Sequence, residues 1–406
     1  MIYVEPYLKR QIEKTLLSFS KQFPVVALTG PRQTGKSTLL KHGFGKTHRY
    51  CTFDDPILRA QAETDPRFFL QTLEGPSILD EIQYVPSLLH YLKMDVDTHR
   101  HQKGKFLLTG SQQFSMMKGL TETLAGRVGL LELLPFSLQE KQGMKKRLTT
   151  PLDFFIHACF PGSFPELALQ KNVASAAWYA SYVSLYLERD VRTLHGIGNW
   201  KDFGRFLQLL ASRTAQLLNL STLAADLGVA VNTIKNWLSI LESSRLIFLL
   251  PSYFENFGKR ITKSPKVYFL DCGLVCYLVG LETKEHLLKG PMAGALFETF
   301  CVQETVKAFL NAGKRPELYY MRTHNGLEVD MLVKTKENRF FPVEIKLSQT
   351  PKASMAANLS QLKSLFPQLP LQKGCLLSLT LQKFPLSREV DAQNPMEFLD
   401  PLKPFF

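Results

Sequence analysis

Phe23-Pro24-Val25-Val26-Ala27-Leu28-Thr29-Gly30-Pro31-Arg32-Gln33-Thr34-Gly35-Lys36-Ser37-Thr38-Leu39-Leu40 runs from an apolar, β-prone segment through a glycine loop into a helix-forming segment. Strand, glycine loop and helix in that order form the setting of a phosphate-binding P-loop. Gly30 and Gly35 permit backbone angles and close approaches that a side chain would block. The loop Gly30, Pro31, Arg32, Gln33, Thr34, Gly35 can then turn its available N–H groups inward around phosphate oxygens. The N-terminus of the following helix adds partial positive charge. Lys36 is placed to reach the β- and γ-phosphates, and Ser37 to ligate Mg²⁺ with Thr38 behind it as support. Alone, this segment predicts binding of ATP or GTP and leaves open what the nucleotide drives.

Pro76-Ser77-Ile78-Leu79-Asp80-Glu81-Ile82-Gln83 supplies what hydrolysis adds. A short apolar run ending in two acids suits a strand whose C-terminal edge faces the P-loop. There Asp80 can hold Mg²⁺ through water and Glu81 can polarise the attacking water. The next strand, Lys105-Phe106-Leu107-Leu108-Thr109, ends in Gly110-Ser111-Gln112-Gln113. Ser111 and its polar neighbours either sense the γ-phosphate or form an ordinary turn. Arg127, in Leu124-Ala125-Gly126-Arg127, either stabilises transition-state charge, from this subunit or a neighbour, or is a structural arginine.

The chain has 406 residues, 45% of them hydrophobic and 21% charged, enough for several domains with ample core. No apolar run is long enough to span a bilayer, which predicts no membrane partner. Glu5, Lys9 and Arg10 precede any long apolar stretch and do not read as a secretory signal. Six cysteines are scattered, and Cys272 and Cys276 have no partner pair at zinc spacing. Reduced, buried thiols in a cytoplasmic protein are expected. A net charge of +13 favours polyanions, with DNA first among them.

Residues 22–137 alternate apolar strands (24–29, 48–53, 77–80, 105–109 and 128–134) with helical stretches, which predicts a parallel sheet covered by helices. A lead-in helix is expected over 1–20. Residues 150–200 read as mainly helical, and Trp178, Tyr179, Tyr182 and Tyr186 read as core. Ser221 to Val229 and Val231 to Leu241 read as two helices about a Gly228 turn, followed by the strand Leu246-Ile247-Phe248-Leu249-Leu250. That is the pattern of a winged helix-turn-helix. Asn232, Thr233, Lys235 and Asn236 lie on its second helix, available to DNA or to a protein partner.

Leu327-Glu328-Val329-Asp330-Met331-Leu332-Val333 and Phe341-Pro342-Val343-Glu344-Ile345-Lys346-Leu347 read as consecutive strands. Glu344 and Lys346, two apart, share one face of theirs. Asp330 and Glu344, joined by Glu298 from an upstream helical segment, can hold Mg²⁺, and Lys346 can assist attack on a phosphodiester. The alternative is a hairpin with surface acids. The predicted organisation is α/β throughout. A P-loop ATPase domain spans 1–145, a helical lid or linker 146–205, a winged helix 206–260 and a restriction-endonuclease-like α/β domain 261–406.

These motifs resemble those of prokaryotic AAA-type ATPases of the AAA_14/DUF4143 kind, which join a P-loop domain to a winged helix and a PD-(D/E)xK nuclease-like region. The carriers are Thr29 to Ser37, Leu79-Asp80-Glu81-Ile82-Gln83, Leu108-Thr109-Gly110-Ser111, Leu124 to Arg127, Glu188-Arg189-Asp190, and Glu328-Val329-Asp330 with Glu344-Ile345-Lys346. The resemblance implies an additional-strand ATPase using ATP and Mg²⁺, with Lys36, Ser37, Asp80 and Glu81 in the roles above. It also implies a role for Arg189 near a lid or subunit boundary, and admits a homo-oligomer. Three functions follow as expectations: an ATPase acting on DNA, an ATP-switched scaffold with a non-catalytic C-terminal docking module, and an ATP-gated defence or toxin nuclease.

Overall fold

A computed structural model of the chain describes residues 7–110, 123–144, 148–170, 172–187, 200–253, 264–323 and 326–400. The chain divides into two compact units. One comprises Met1–Phe136 with Ser243–Arg245 and Leu310–Gly313. The other comprises Ser137–Glu242, Leu246–Phe309 and Lys314–Phe406. The segments expected as helical linker, winged helix and nuclease-like domain thus fall mainly in the second unit.

In the first unit a helix at Glu13–Gln22 precedes five strands, β1 Val25–Thr29, β2 Arg49–Thr52, β3 Ser77–Asp80, β4 Phe106–Thr109 and β5 Val128–Glu132. Each coincides with an expected strand. They form one sheet in the order β2-β3-β4-β1-β5, every pairing parallel. A parallel sheet is covered on both faces, which is why β1, β3 and β4 are apolar runs with every residue buried. Alternate residues serve opposite faces. Val25 and Ala27 join Leu79, Phe106 and Leu108 in one core. Val26 and Leu28 join Ile78 and Leu107 in the other. Because β4 lies between β1 and β3, the P-loop and the Asp80-Glu81 pair emerge at the same C-terminal edge with one strand between them. Open α/β sheets bind ligands at that edge.

The second unit begins with short helices, among them Pro151–Cys159, Pro165–Leu169 and Ser175–Ser181. Tyr179 and Tyr182 are buried core, the half-buried Trp178 stacks on Tyr182 with ring centroids 5.2 Å apart, and the Tyr186 side chain lies outside what is described. Helices Trp200–Ser212, Leu220–Leu227 and Val231–Ser243 follow. Asn219 caps the second of them, and Gly228, at φ 68°, ends it in the left-handed conformation that glycine tolerates. The third buries Ile234, Trp237, Leu238, Ile240 and Leu241 and leaves Asn232, Lys235 and Asn236 exposed. An antiparallel pair, β6 Ile247–Leu250 and β7 Lys266–Phe269, comes next.

Beyond the helix Ala293–Asn311 lie β8 Leu318–Arg322, β9 Glu328–Lys334, β10 Phe340–Ile345, β11 Gly374–Leu377, β12 Phe384–Pro385 and β13 Val390–Gln393. Their order is β12-β13-β11-β10-β9-β8. The β8–β9–β10 pairings are antiparallel and β10–β11–β13 are parallel. The helix Ala357–Leu365 lies in the crossover that a parallel pair requires. All six cysteines are buried and unbridged, and among the described residues no helix is long and apolar enough to cross a membrane.

Candidate functional site

The P-loop owes its shape to its glycines. Gly30 has φ 134°, and a Cβ there would lie 2.2 Å from the Leu133 carbonyl oxygen. Gly35, at φ 87°, opens the helix Lys36–Phe44 from the left-handed region. The buried Arg10 braces the loop from outside. It donates to the carbonyls of Thr34 at 2.8 Å and Leu134 at 2.7 Å. Lys36 is buried and donates to the carbonyls of Gly30 at 3.0 Å and Pro31 at 2.7 Å, so its ammonium is held on the loop itself.

Three hydroxyls surround Asp80. Ser37 donates to Oδ1 at 2.9 Å, Thr109 donates to the same oxygen, and Tyr50 donates to Oδ2 at 2.5 Å. Burial, then Asp80, pushes the Tyr50 phenol well above its ordinary value, so it remains a donor. Glu81 sits at φ 57°; its N–H donates to Thr109 Oγ1 at 3.2 Å, and Gln83 donates to its carboxylate. Burial, then Glu81 and Asp80, raises the nearby Asp54 carboxyl. A hydroxyl and a carboxylate at the loop's edge are hard oxygen donors suited to Mg²⁺, which keeps several waters. Ser37 and Asp80 therefore fit the ion.

Some expected residues lie elsewhere. Thr38 is exposed, and the groups that hold Asp80 are Thr109 and Tyr50. Arg127 precedes β5, and its carbonyl accepts from Val25 at the start of β1, the end of the sheet opposite the P-loop. Its guanidinium grips Asp97 with contacts of 2.6 and 2.9 Å. The structure thus does not bring it to its own chain's P-loop. Ser111 and Arg189 lie outside the described residues. Tyr50 and Thr109 were missed because strand residues with hydroxyls read as ordinary β-formers. Position was a usable signal for Thr109 alone, which ends the strand beside the Asp80 strand.

The second unit gathers a different cluster. Glu298 comes from the helix Ala293–Asn311, Glu328 and Asp330 from β9, and Glu344 from β10. At its centre is Lys266 of β7, only 3% exposed. Its Nζ lies 2.6 Å from Glu328, 3.1 Å from Glu298 and 3.7 Å from Asp330. Tyr268 donates to Glu298 at 2.6 Å. Lys346 lies 2.7 Å from Glu344 Oε1 and 3.6 Å from Asp330 Oδ2, and the Ile345 N–H donates to that Oδ2 at 2.9 Å. Glu344 Oε2 is buried without a partner.

Burial disfavours the charge on Lys266, but Glu298, Asp330 and Glu328 outweigh it and hold its pKa above the lysine value. Burial, then Asp330, raises Glu298 to about 7 and Glu344 to about 8. The expected Glu298, Asp330, Glu344 and Lys346 are thus brought into one network. Among the described residues, however, no group of three Asp, Glu, His or Cys side chains is placed to hold a metal ion. Here the carboxylates are shared with two lysines, Lys266 and Lys346. Lys266 and Tyr268, two apart on one strand face, were the missed residues. Lys266 opens the apolar run Val267-Tyr268-Phe269-Leu270, which marks a strand but not its carboxylate partners.

Residues 22–141 match the family model of an AAA domain. Residues 153–285 and 293–398 match two domains of unknown function, DUF8612 and DUF4143. The uncharacterized proteins Rv2008c of Mycobacterium tuberculosis and Mb2031c of Mycobacterium bovis are each 34% identical over 372 residues, 91% of this chain and 79% of theirs. Similar solved structures include the Walker-type ATPase paby2304 of Pyrococcus abyssi, at 14% identity and a TM-score of 0.39 over 68% of this chain and 98% of that one. The Thermotoga maritima RuvB Holliday junction branch migration motor is 18% identical, with a TM-score of 0.31 over 60% of this chain and 90% of its own.

Proposed function

We infer that this chain, which belongs to the same family as the mycobacterial proteins Rv2008c and Mb2031c, is an Mg²⁺-dependent AAA-type ATPase that acts on or with DNA. The observation that carries the reading is the meeting of Ser37, Thr109 and Tyr50 on Asp80 beside the P-loop lysine. When ATP enters, Lys36 exchanges the Gly30 and Pro31 carbonyls for β- and γ-phosphate oxygens. The loop N–H groups and the helix N-terminus hold the remaining phosphate charge. Ser37 and Asp80 would hold Mg²⁺, which when bound would neutralise charge on the phosphate oxygens. Glu81 orients and polarises the attacking water, and Thr109 ties its backbone to Asp80 so that the two acids move together. Ser111 is assigned to γ-phosphate sensing and Arg189 to the lid; Arg127 serves catalysis only from a neighbouring subunit.

DNA contact is assigned to the helix Val231–Ser243, through Asn232, Lys235 and Asn236, within a winged-helix segment of a chain carrying +13. The test is ATP turnover with and without single-stranded, double-stranded and branched DNA, beside a Lys36→Ala control. Stimulation that weakens with salt is expected. Turnover without stimulation, together with no DNA binding at low salt, would remove the DNA part and leave the ATPase.

A second reading has an observation in its favour. Lysine-neutralised carboxylates suit an ATP-switched scaffold whose C-terminal domain docks without cutting. It predicts a nucleotide-dependent change in oligomer size, measured by sedimentation, and a size unaffected by ATP would refute it.

A further inference from the structure

We propose that the Lys266 ammonium is the resident cation of the C-terminal carboxylate cluster, standing where a nuclease-like site would hold a divalent ion, so that this domain binds no Mg²⁺ there and cuts no phosphodiester. Three carboxylates from two elements meet on one Nζ, at 2.6, 3.1 and 3.7 Å. An ion among Glu298, Glu328 and Asp330 would have to displace a lysine that is 97% buried. Elsewhere in the cluster one carboxylate oxygen, Glu344 Oε2, is buried without a partner, and its neighbours are already shared with a second lysine. Asp330 and Glu344 share Lys346, and Asp330 Oδ2 is also held by the Ile345 N–H. Glu328 has a further partner in Arg322, at 3.5 Å.

The lysine is built in. β7 pairs with β6 through Leu250 and Lys266, and Lys266 also bridges to Leu217. Its strand lies in the segment 153–285, whereas the four acids lie in 293–398, so one family segment supplies the charge that the other needs. Buried carboxylates must be paired, and a paired ammonium meets that need as an ion would. The consequence is competition, because lysine and metal claim the same oxygens.

The test is Mn²⁺ titration of the nucleotide-free, full-length chain, followed by electron paramagnetic resonance. Wild type is expected to show no Mn²⁺ binding that Glu298→Gln or Glu344→Gln removes. Lys266→Met is expected to gain one such site, on the order of tenfold tighter than anything in wild type, and Lys266→Met/Glu298→Gln to lose it again. Mn²⁺ should raise the unfolding temperature of Lys266→Met and leave that of wild type unchanged. Wild-type Mn²⁺ binding abolished by Glu344→Gln overturns the proposal, as does Mn²⁺-dependent DNA cleavage abolished by Asp330→Asn. A folded Lys266→Met that binds no Mn²⁺ overturns the competition. If Lys266→Met does not fold, the wild-type and Glu344→Gln titrations decide the matter alone. No readout needs ATP, so failure here is distinguishable from failure of the ATPase reading.

Discussion

Asp80 and Asp330 are both nearly buried aspartates on strands, each expected from sequence to serve a metal, and the charge of their side-chain partners differs. Asp80 is held by three neutral hydroxyls, Ser37, Thr109 and Tyr50. Asp330 is held between two ammonium groups, Lys266 and Lys346. Hydroxyl donors fix a carboxylate without cancelling its charge, so the charge remains available to a cation that arrives with substrate. Ammonium partners cancel it permanently. The ammonium beside the first site is kept off the acid. Lys36 rests on loop carbonyls, and Lys41 lies over the Tyr50 ring, 3.7 Å from its centroid. On the functions proposed above, one unit would receive its cation with substrate, while the other carries an ammonium among its acids.

The contrast breaks most visibly if Lys266 is removed. Deleting one partner of a buried ion pair leaves uncompensated buried charge and costs about 3–5 kcal/mol. Lys266→Ala should lower unfolding stability by that amount in denaturant titrations. A loss below about 1 kcal/mol would show that the cluster is wetter and weaker than its distances imply. Lys36→Ala should leave folding nearly intact, because the Gly30 and Pro31 carbonyls it holds can be satisfied by water. ATP turnover should nevertheless fall by roughly 10²–10³-fold. Retained turnover would mean that the P-loop is not the hydrolytic site.

The carboxylate–lysine cluster also predicts a pH dependence. The folded-state pKa values of Glu298 and Glu344, about 7 and about 8, lie above the value of an unfolded glutamate. The folded chain therefore binds more protons than the unfolded one across that interval. Stability from these groups is fully present below about pH 4.3 and is lost as pH rises through 7 and 8. The slope is at most about 1.4 kcal/mol per pH unit for each proton. Unfolding temperature measured from pH 5 to 9 should fall, and Glu344→Gln should flatten part of the fall. A rise over the same range would show that the glutamates ionise freely in the folded state.

The two sites were unequally legible in the sequence. The first is written locally, because strand, loop and helix adjoin in the chain, and Gly30 and Gly35 mark where the backbone must turn. All five strands of its sheet could be placed from apolar runs bounded by polar residues, because parallel strands are buried on both faces. What could not be read was Tyr50, which reaches Asp80 because β2 pairs with β3 and sets Thr52 opposite Asp80. In the second site Asp330, Glu344 and Lys346 could be placed together by strand alternation. Lys266 could not, since its approach depends on a strand of a separate antiparallel pair meeting β9 and the helix Ala293–Asn311. Long-range pairing of that kind leaves no periodic trace in a single sequence.

Tyr50 sharpens the comparison with the smallest expected effect. Tyr50→Phe removes one donor to Asp80 while Ser37 and Thr109 remain, so stability should fall by about 1.5 kcal/mol, the scale of a hydrogen bond to a charged group. If neutral hydroxyls serve to orient a carboxylate whose charge the ion will use, the loss should appear as a raised Mg²⁺ requirement for turnover, with kcat largely restored at saturating Mg²⁺. If Tyr50 is only packing, stability should fall while the Mg²⁺ dependence stays where it was. Tyr50→Lys goes further, since it would place an ammonium where the hydroxyl was and give Asp80 the company that Asp330 keeps. Turnover that no Mg²⁺ concentration restores in Tyr50→Lys, beside recovery in Tyr50→Phe, would show that the partner's charge decides which acid can take a metal. Equal recovery in both variants would place the difference in the P-loop rather than in the carboxylate's surroundings.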